Sequence, residues 1–404
     1  MNAVCFYFQV HQPWRLRKDF NFFKIGIGHG HGYDDDKANA DMVRQVARRC
    51  YLPANRLMLE LIRRHQGEFK VSYAITGTAL DQFELYCPEV LDSFRELAAT
   101  GCVEMIGETY YHSLSFLFSR GEFRDQVNLH REKIKRVFGT EPTTFRNTEL
   151  IYSNELAQEV EALGFKAILT EGADKILGWR SPNFVYMPKP CEKLHLLLKN
   201  YHLSDDLAFR FGDPTWAEQP LTASKYAGWI HKIAGGSEIV NLFMDYETFG
   251  EHHKESTGIF KLLERLPEEI LRHPDFQFMT PAEAARDFRP VARLDVPQNI
   301  SWADTERDTT AWLGNPLQDA SAEQVYKLEQ AVKASHDDLL IEQWRRLLSS
   351  DHFYYMCTKW HAEGDAHKDH NPYTSPYDAF MVYSNILTDL TERLKEMKLL
   401  DQAA

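Results

Sequence analysis

The sequence predicts a parallel α/β barrel followed by a helical segment. Three observations predict it. About seven short apolar runs of strand length alternate with helix-length stretches. Acids, histidines and aromatics collect just after several of those runs. Past Pro290 the strand signals stop and helix signals continue alone. With 404 residues, 44% of them hydrophobic, the chain has core material for one large domain and a smaller one.

Residues 3–10 (AVCFYFQV) open the chain as a strand apolar on both faces, the pattern of a strand inside a parallel sheet. A long helical stretch follows near residues 41–65, bent or interrupted at Pro53. Residues 69–75 form the next strand, and a helix over about 81–99 ends near Gly101. The strand at 103–106 leads to a basic amphipathic helix, 123–138, stopped by Gly139. Residues 143–146 precede a helix from Ser153, its N-cap, to Gly164. Strands at 166–170, 194–198, 239–244 and 276–279 follow, 194–198 carrying the weakest pattern; the rest of the segment from Gly172 to Trp229 matches no functional pattern.

An irregular piece begins at Val291, VARLDVPQNISWADTERDTTAWLGNPLQ, and helices come after it. Ser321-Ala322-Glu323-Gln324 has the capping-box pattern and opens a helix to about Leu348; a last helix covers roughly 377–399. The expected division is a barrel over 1–290 and a helical region over 291–404.

Charge and cysteine usage exclude several classes. A net charge of −13 repels nucleic acid and anionic membranes, so a neutral small-molecule substrate fits better. No apolar run approaches the roughly 18 residues of a membrane span. The opening MNAVCFYFQVHQPW has neither a basic n-region nor a small-residue cleavage site. Six scattered cysteines make neither a disulfide framework nor a zinc site and suit a reducing compartment, so a cytoplasmic protein is expected. Nothing in the sequence fixes an oligomeric state.

The chemistry collects at strand ends: Gln9-Val10-His11-Gln12-Pro13-Trp14, Gly107-Glu108-Thr109-Tyr110-Tyr111-His112, Arg146-Asn147-Thr148-Glu149 and Asp245-Tyr246-Glu247. Strands closed into one barrel share one mouth, so His11, Glu108, Glu149, Asp245 and Glu247 would converge there. One strand-end acid is as readily a helix cap or a salt-bridge partner; four such ends are harder to assign to structure alone. Paired carboxyls in an aromatic-rich pocket are what glycoside hydrolysis requires, one protonated to assist the leaving oxygen and one ionised. Neighbouring like charges raise one of the two pKa values, and the pattern alone does not say which residue takes which role.

The motifs HQP at 11–13, GETYYHSL at 107–114, FRNTELIYS at 145–153, MDYETFGEH at 244–252 and DHFYYMCTKW at 351–360 resemble the five sequence regions of glycoside hydrolase family 57, most closely its α-amylase branch. The resemblance covers nearly the whole chain. It implies a (β/α)7 barrel, an incomplete TIM barrel, followed by a helical C-terminal region that helps build the active site. It also implies a retaining double displacement on α-1,4-glucans or maltooligosaccharides through a glycosyl-enzyme intermediate, with no cofactor and no metal. By motif, Glu149 resembles the nucleophile and Asp245 the general acid/base; His11, Glu108 and Asp351 resemble substrate-positioning residues. Retention implies catalytic carboxyls about 5–5.5 Å apart. Asp351 escapes the barrel pattern, so the C-terminal part carrying it must fold back over the mouth.

Trp14, His112, Glu247 and Trp312 complete the expected substrate-binding set. Trp14, Tyr33, Tyr110, Trp216, Trp302 and Trp312 lie in loop-like segments, either as sugar platforms or as packing. Glu247 would either lend a charge that keeps Asp245 protonated or cap the next helix; His252 and His253 would bind sugar hydroxyls or belong to a loop. GHGHGYDDDK at 28–37, with His29 and His31, offers possible cation ligands but reads better as a polar surface loop; His361, His367 and His370 read likewise. A 4-α-glucanotransferase would use the same residues, and a non-catalytic glycan-binding protein the same fold. A metal-dependent deacetylase lacks its His/Asp triad.

Overall fold

The computed structural model describes residues 2–27, 32–359 and 371–401. Its strands are β1 (Asn2–Val10), β2 (Val71–Ile75), β3 (Val103–Met105), β4 (Thr144–Arg146), β5 (Ala167–Glu171), β6 (Met187–Pro188), β7 (His195–Lys199), β8 (Ile239–Asp245), β9 (Phe276–Phe278) and β10 (Arg293–Leu294). The fold is mixed α/β with parallel sheets. One sheet has the order β3-β2-β1-β8, with β9 also beside β1, another the order β4-β5-β7, and β6 pairs with β10. Every strand pair is parallel, which brings the C-terminal ends of neighbouring strands together. Backbone bonds also join the two larger sheets. Gly107 N–H donates to Thr144 O (2.9 Å) and Arg146 N–H to Gly107 O (2.8 Å) on one side; Asn200 N–H donates to Asn241 O (2.9 Å) on the other.

All nine residues of β1 are buried, as its unbroken apolar run predicts. Alternation splits them: Phe6 and Phe8 pack with Tyr73, Tyr246 and the flanking helices, while Cys5 and Tyr7 pack with Phe243, Leu169 and Leu197. A third cluster joins Trp344, Phe353 and Tyr383 of the C-terminal helices, and Trp312 of the turn before them, to Leu16, Phe20 and Tyr33. Two backbone links then dock Ser350 beside the turn after β3: Ser350 N–H donates to His112 O (2.8 Å), and Ser113 bridges Ser349.

The helix boundaries differ from expectation where proline and capping chemistry decide. The stretch expected at 41–65 is Asp36–Val46, a π-helical turn Ala47–Tyr51 and Leu52–Arg64. Pro53 follows the π-helical turn and its C-cap Leu52, whose N–H bonds to Ala47 O, and the backbone stays helical through Tyr51 and Leu52. The single helix expected at 81–99 is two, Gly77–Tyr86 and Pro88–Ala99: helical backbone is disfavoured before a proline, and Cys87 takes φ −150°. Gly139, at φ 73°, ends Arg120–Phe138 as expected, and Ser153 caps its helix. Ser321 does not open a helix: Asn315 caps Pro316–Lys327 and Ser321 is buried inside it. Glu329–Ala334 and Asp338–Leu347 then replace the rest of the expected helix, and Pro376–Glu396 is the last. Among the described residues no helix is long and apolar enough to cross a membrane. All six cysteines are buried, and Cys5, Cys50, Cys87, Cys102 and Cys191 are free thiols.

Candidate active site

Glu149 stands on a tight turn, Thr148–Leu150, directly after β4. Both Glu149 (φ 59°) and Leu150 (φ 51°) adopt left-handed backbone, which costs non-glycine residues about 1–3 kcal/mol each and is characteristic of functional turns. Three groups hold its carboxylate. His112 Nε2 lies 3.2 Å and the Ser350 hydroxyl 3.0 Å from Oε1, and the Trp302 indole N–H donates to Oε2 at 2.8 Å. Burial raises its pKa, but the His112 bond and the charges of His112 and Arg146 outweigh it, leaving Glu149 below the usual carboxylate value.

Asp245 ends β8, in register with Gln9 of β1. Burial first, then the Glu149 charge, push its pKa up to about 6, against the opposing charges of Arg146, His112 and Lys199. Neighbouring carboxyls are thus driven to opposite protonation preferences, the arrangement that acid/base chemistry at one bond requires.

A buried relay orients Glu149. Glu108 accepts from Gln9 Nε2 (3.1 Å), lies 3.3 Å from His112 Nδ1 and pairs with buried Arg146 (3.7 Å). Burial lowers the His112 pKa, but bonds to Glu108 and Glu149 overcome it and raise it to about 9. His112 is therefore protonated at neutral pH, and both ring nitrogens donate. His11 stacks on it at 4.0 Å between ring centroids. Burial and the His112 charge hold the His11 pKa down, so the neutral ring donates from Nε2 to Asp351 (2.8 Å) and accepts at Nδ1 from Thr76 (3.0 Å). Asp351 opens the short helix Ser350–Tyr354; against burial, His11 and the Ser349 hydroxyl (2.7 Å) keep it well below the carboxylate range.

Glu247 caps no helix; it lies within the turn Tyr246–Thr248 and accepts a hydrogen bond from Tyr51, which itself accepts from Gln12 Nε2 (3.0 Å). Tyr51 is presented by the π-helical turn, a feature common at functional sites. Gly250 permits that approach, since a Cβ there would lie 1.9 Å from Arg49 O. Burial, then the Asp245 charge, push the Glu247 pKa up to about 8. Glu247 is thus neutral near pH 7, and the charge that lifts Asp245 is that of Glu149. Glu247→Gln, the isostere of the neutral acid, should leave kcat/KM and its alkaline limb close to the parent's. A limb moved to lower pH in that variant would show that Glu247 works as an anion.

His11, Glu108, His112, Glu149 and Asp351 form one connected set, with Asp245 and Glu247 beside it through their charges. Trp14 and Trp312 are buried, 2% and 1% exposed. Arg346 covers the Trp14 ring at 3.8 Å, and Trp312 faces Tyr354 at 6.3 Å. Tyr33 is bonded to Asp389 and Tyr110 to Asp81, each at 2.8 Å, and Trp216 packs on Trp229. His253 anchors its loop to Leu207 O and Ala208 O (3.0 Å each). His29 and His31, like His361, His367 and His370, lie outside the described residues. Of the neighbouring acids, Asp34 pairs with Arg346 and Asp35 caps the helix Asp36–Val46. Among the described residues no group of three or more His, Cys, Asp or Glu could hold a metal ion.

Sequence reasoning missed Ser350, Tyr51 and Lys199. Lys199 closes β7 as Asp245 closes β8, so its strand-end position was the available signal. Tyr51 had none, because a π-helical turn leaves no periodic trace.

Parallel strands deliver two carboxyls of opposite protonation preference to one place, an arrangement suited to glycoside hydrolysis. The chain belongs to glycosyl hydrolase family 57, whose family model matches residues 5–297. It is 42% identical over 405 aligned residues to a Methanocaldococcus jannaschii protein named "Putative alpha-amylase", covering 98% of this chain and 85% of that protein. Among solved structures it resembles a family 57 branching enzyme from Pyrococcus horikoshii (TM-score 0.68, 16% identity, 88% of this chain and 86% of that one). It also resembles the 4-alpha-glucanotransferase of Thermococcus litoralis (TM-score 0.59, 16% identity), covering 87% of this chain but spanning only 50% of that structure. At these identities the structural likeness concerns the fold.

Proposed function

We propose that the protein is a retaining α-amylase-type hydrolase of α-1,4-glucans. Glu149 attacks the anomeric carbon while Asp245 gives its proton to the leaving glycosidic oxygen. Asp245 then takes a proton from water as the water displaces Glu149 from the glycosyl-enzyme. The observation that carries this reading is the opposite drive on the two carboxyls, Glu149 held ionised by three donors and Asp245 held up to about 6. His11, Glu108 and Asp351 position the sugar or the groups that meet it. In the same reading β1, β2, β3, β4, β5, β7 and β8 form one closed (β/α)7 barrel, supported by the bonds at Gly107 and Asn200 that join the two sheets. Residues 1–290 are then the catalytic part, and 291–404 the helical region that supplies Asp351. A cytoplasmic location accords with the free thiols of Cys5, Cys50, Cys87, Cys102 and Cys191.

The test is the product profile from a defined linear maltooligosaccharide, with the anomer of the new reducing end followed by NMR. Shorter products only, formed first as the α-anomer and unaffected by a chelator, are expected. A first-formed β-anomer would refute retention. Products longer than the substrate would make the enzyme a 4-α-glucanotransferase, with a sugar hydroxyl in place of water.

A further inference from the structure

A buried group of charges that the double displacement does not use lies behind Trp302. Lys199 Nζ lies 2.8 Å from Asp205 and 3.6 Å from Glu171. Arg307 reaches the same two acids, each at 3.3 Å. The four side chains are between 0% and 17% exposed and balance two positive charges against two negative. Burying four charges is expensive, and hydrophobic replacement of such networks is often neutral or stabilising, so stability alone is a weak account of this one.

The group reaches the site through Trp302. Arg307 Nη1 donates to the backbone O of Trp302 at 2.6 Å, fixing that residue from behind. Arg146 (5.1 Å) and Lys199 (5.5 Å) both approach the Trp302 ring, and its other polar atoms turn to one residue. Its backbone N–H donates to Glu149 O (3.3 Å) and its indole N–H to Glu149 Oε2 (2.8 Å). Lys175, donating to Glu306 O (2.6 Å), and Lys359, paired with Asp304 (3.4 Å), pin the same strap elsewhere. The strap lies beyond residue 297, outside the segment that the family model matches.

We propose that the Glu171–Lys199–Asp205–Arg307 cluster is a positioning unit for the nucleophile, acting through Trp302, whose indole N–H it holds on the Glu149 carboxylate. The proposal rests on the reading of Glu149 as nucleophile. Arg307 and Trp302 are then positioning residues, and their loss frees the Glu149 carboxylate from one of its donors. Losing a donor to the charged form raises a carboxyl pKa, so the acid limb of kcat/KM moves to higher pH. The other groups facing Glu149 are His112, Arg146, Ser350, Asp351, Asp245, Tyr7 and Tyr354, all retained when Trp302, Arg307 or Glu171 is replaced.

The experiment is the pH profile of kcat/KM on a maltooligosaccharide for Trp302→Phe and for Arg307→Met combined with Glu171→Gln, which removes one charge of each sign. Both should move the acid limb upward by about one pH unit, with the alkaline limb in place and the far-UV circular dichroism of the parent. An unmoved acid limb in the paired variant, at whatever rate, overturns the proposal. Should that variant fail to fold, Arg307→Lys, which keeps the charge but not the planar fork, decides on the same readout. Full activity in Glu149→Gln would instead defeat the functional reading, leaving the two failures distinct.

Discussion

Glu149→Gln is expected to lower turnover of a maltooligosaccharide by roughly 10⁵–10⁶-fold, the scale seen when a covalent nucleophile is removed. The variant removes the charge and one acceptor. With its amide oxygen at the Oε1 place it still accepts from the Ser350 hydroxyl and His112, while the Trp302 indole N–H, which meets Oε2, loses its acceptor. The backbone bond from Trp302 N–H to Glu149 O still holds the turn at 148–150. His112 loses one of the two anions that raise it to about 9, and its pKa should fall. Measurement of kcat beside an unchanged melting temperature tests the assignment; parent-like turnover would refute it. A smaller side chain in its place, Glu149→Ala, should regain activity with azide, which fills the vacated volume and attacks the anomeric carbon. The glycosyl azide would have inverted stereochemistry, a product that general damage to the fold cannot supply.

Much of this site was legible because parallel strands announce themselves. An apolar run such as 239–244 buries both faces, and the residues directly after it must lie at a strand end. That logic located Asp245, Glu149, Glu108 and His11 from local sequence. It failed where the contact is distant. Trp302 meets Glu149 across 153 residues and Ser350 meets it across 201, and no periodicity carries a register between segments so far apart. Asp351 was reached through the family motif alone, since its place depends on docking Ser350 against His112 O. Aromatic content alone does not separate platform from packing: Trp14 and Trp312 are both buried, as most large rings of a core this rich in aromatics are. The charge on Glu247 was likewise unreadable, because burial against Tyr51 decides it.

Asp245→Asn should cost about 10²–10⁴-fold in kcat/KM on a maltooligosaccharide, the usual worth of a general acid/base. The pH profile separates this loss from mere disturbance. As a proton donor the free enzyme needs Asp245 protonated, so kcat/KM of the parent falls as pH rises through about 6. It also needs Glu149 ionised, which holds down to pH values below the usual carboxylate range. In the variant the alkaline limb should vanish and the acid limb remain. A substrate with a good leaving group, such as a maltosyl fluoride, needs little protonation, so glycosylation should recover and the glycosyl-enzyme accumulate until water slowly releases it. A limb that persists in Asp245→Asn would transfer the donor role to Glu247, the other carboxyl held protonated here, its pKa lowered from about 8 by the loss of the Asp245 charge. The two outcomes differ because the turn after β8 places both acids two residues apart but gives them different partners: the charge of Glu149 bears on Asp245, and the hydroxyl of Tyr51 on Glu247.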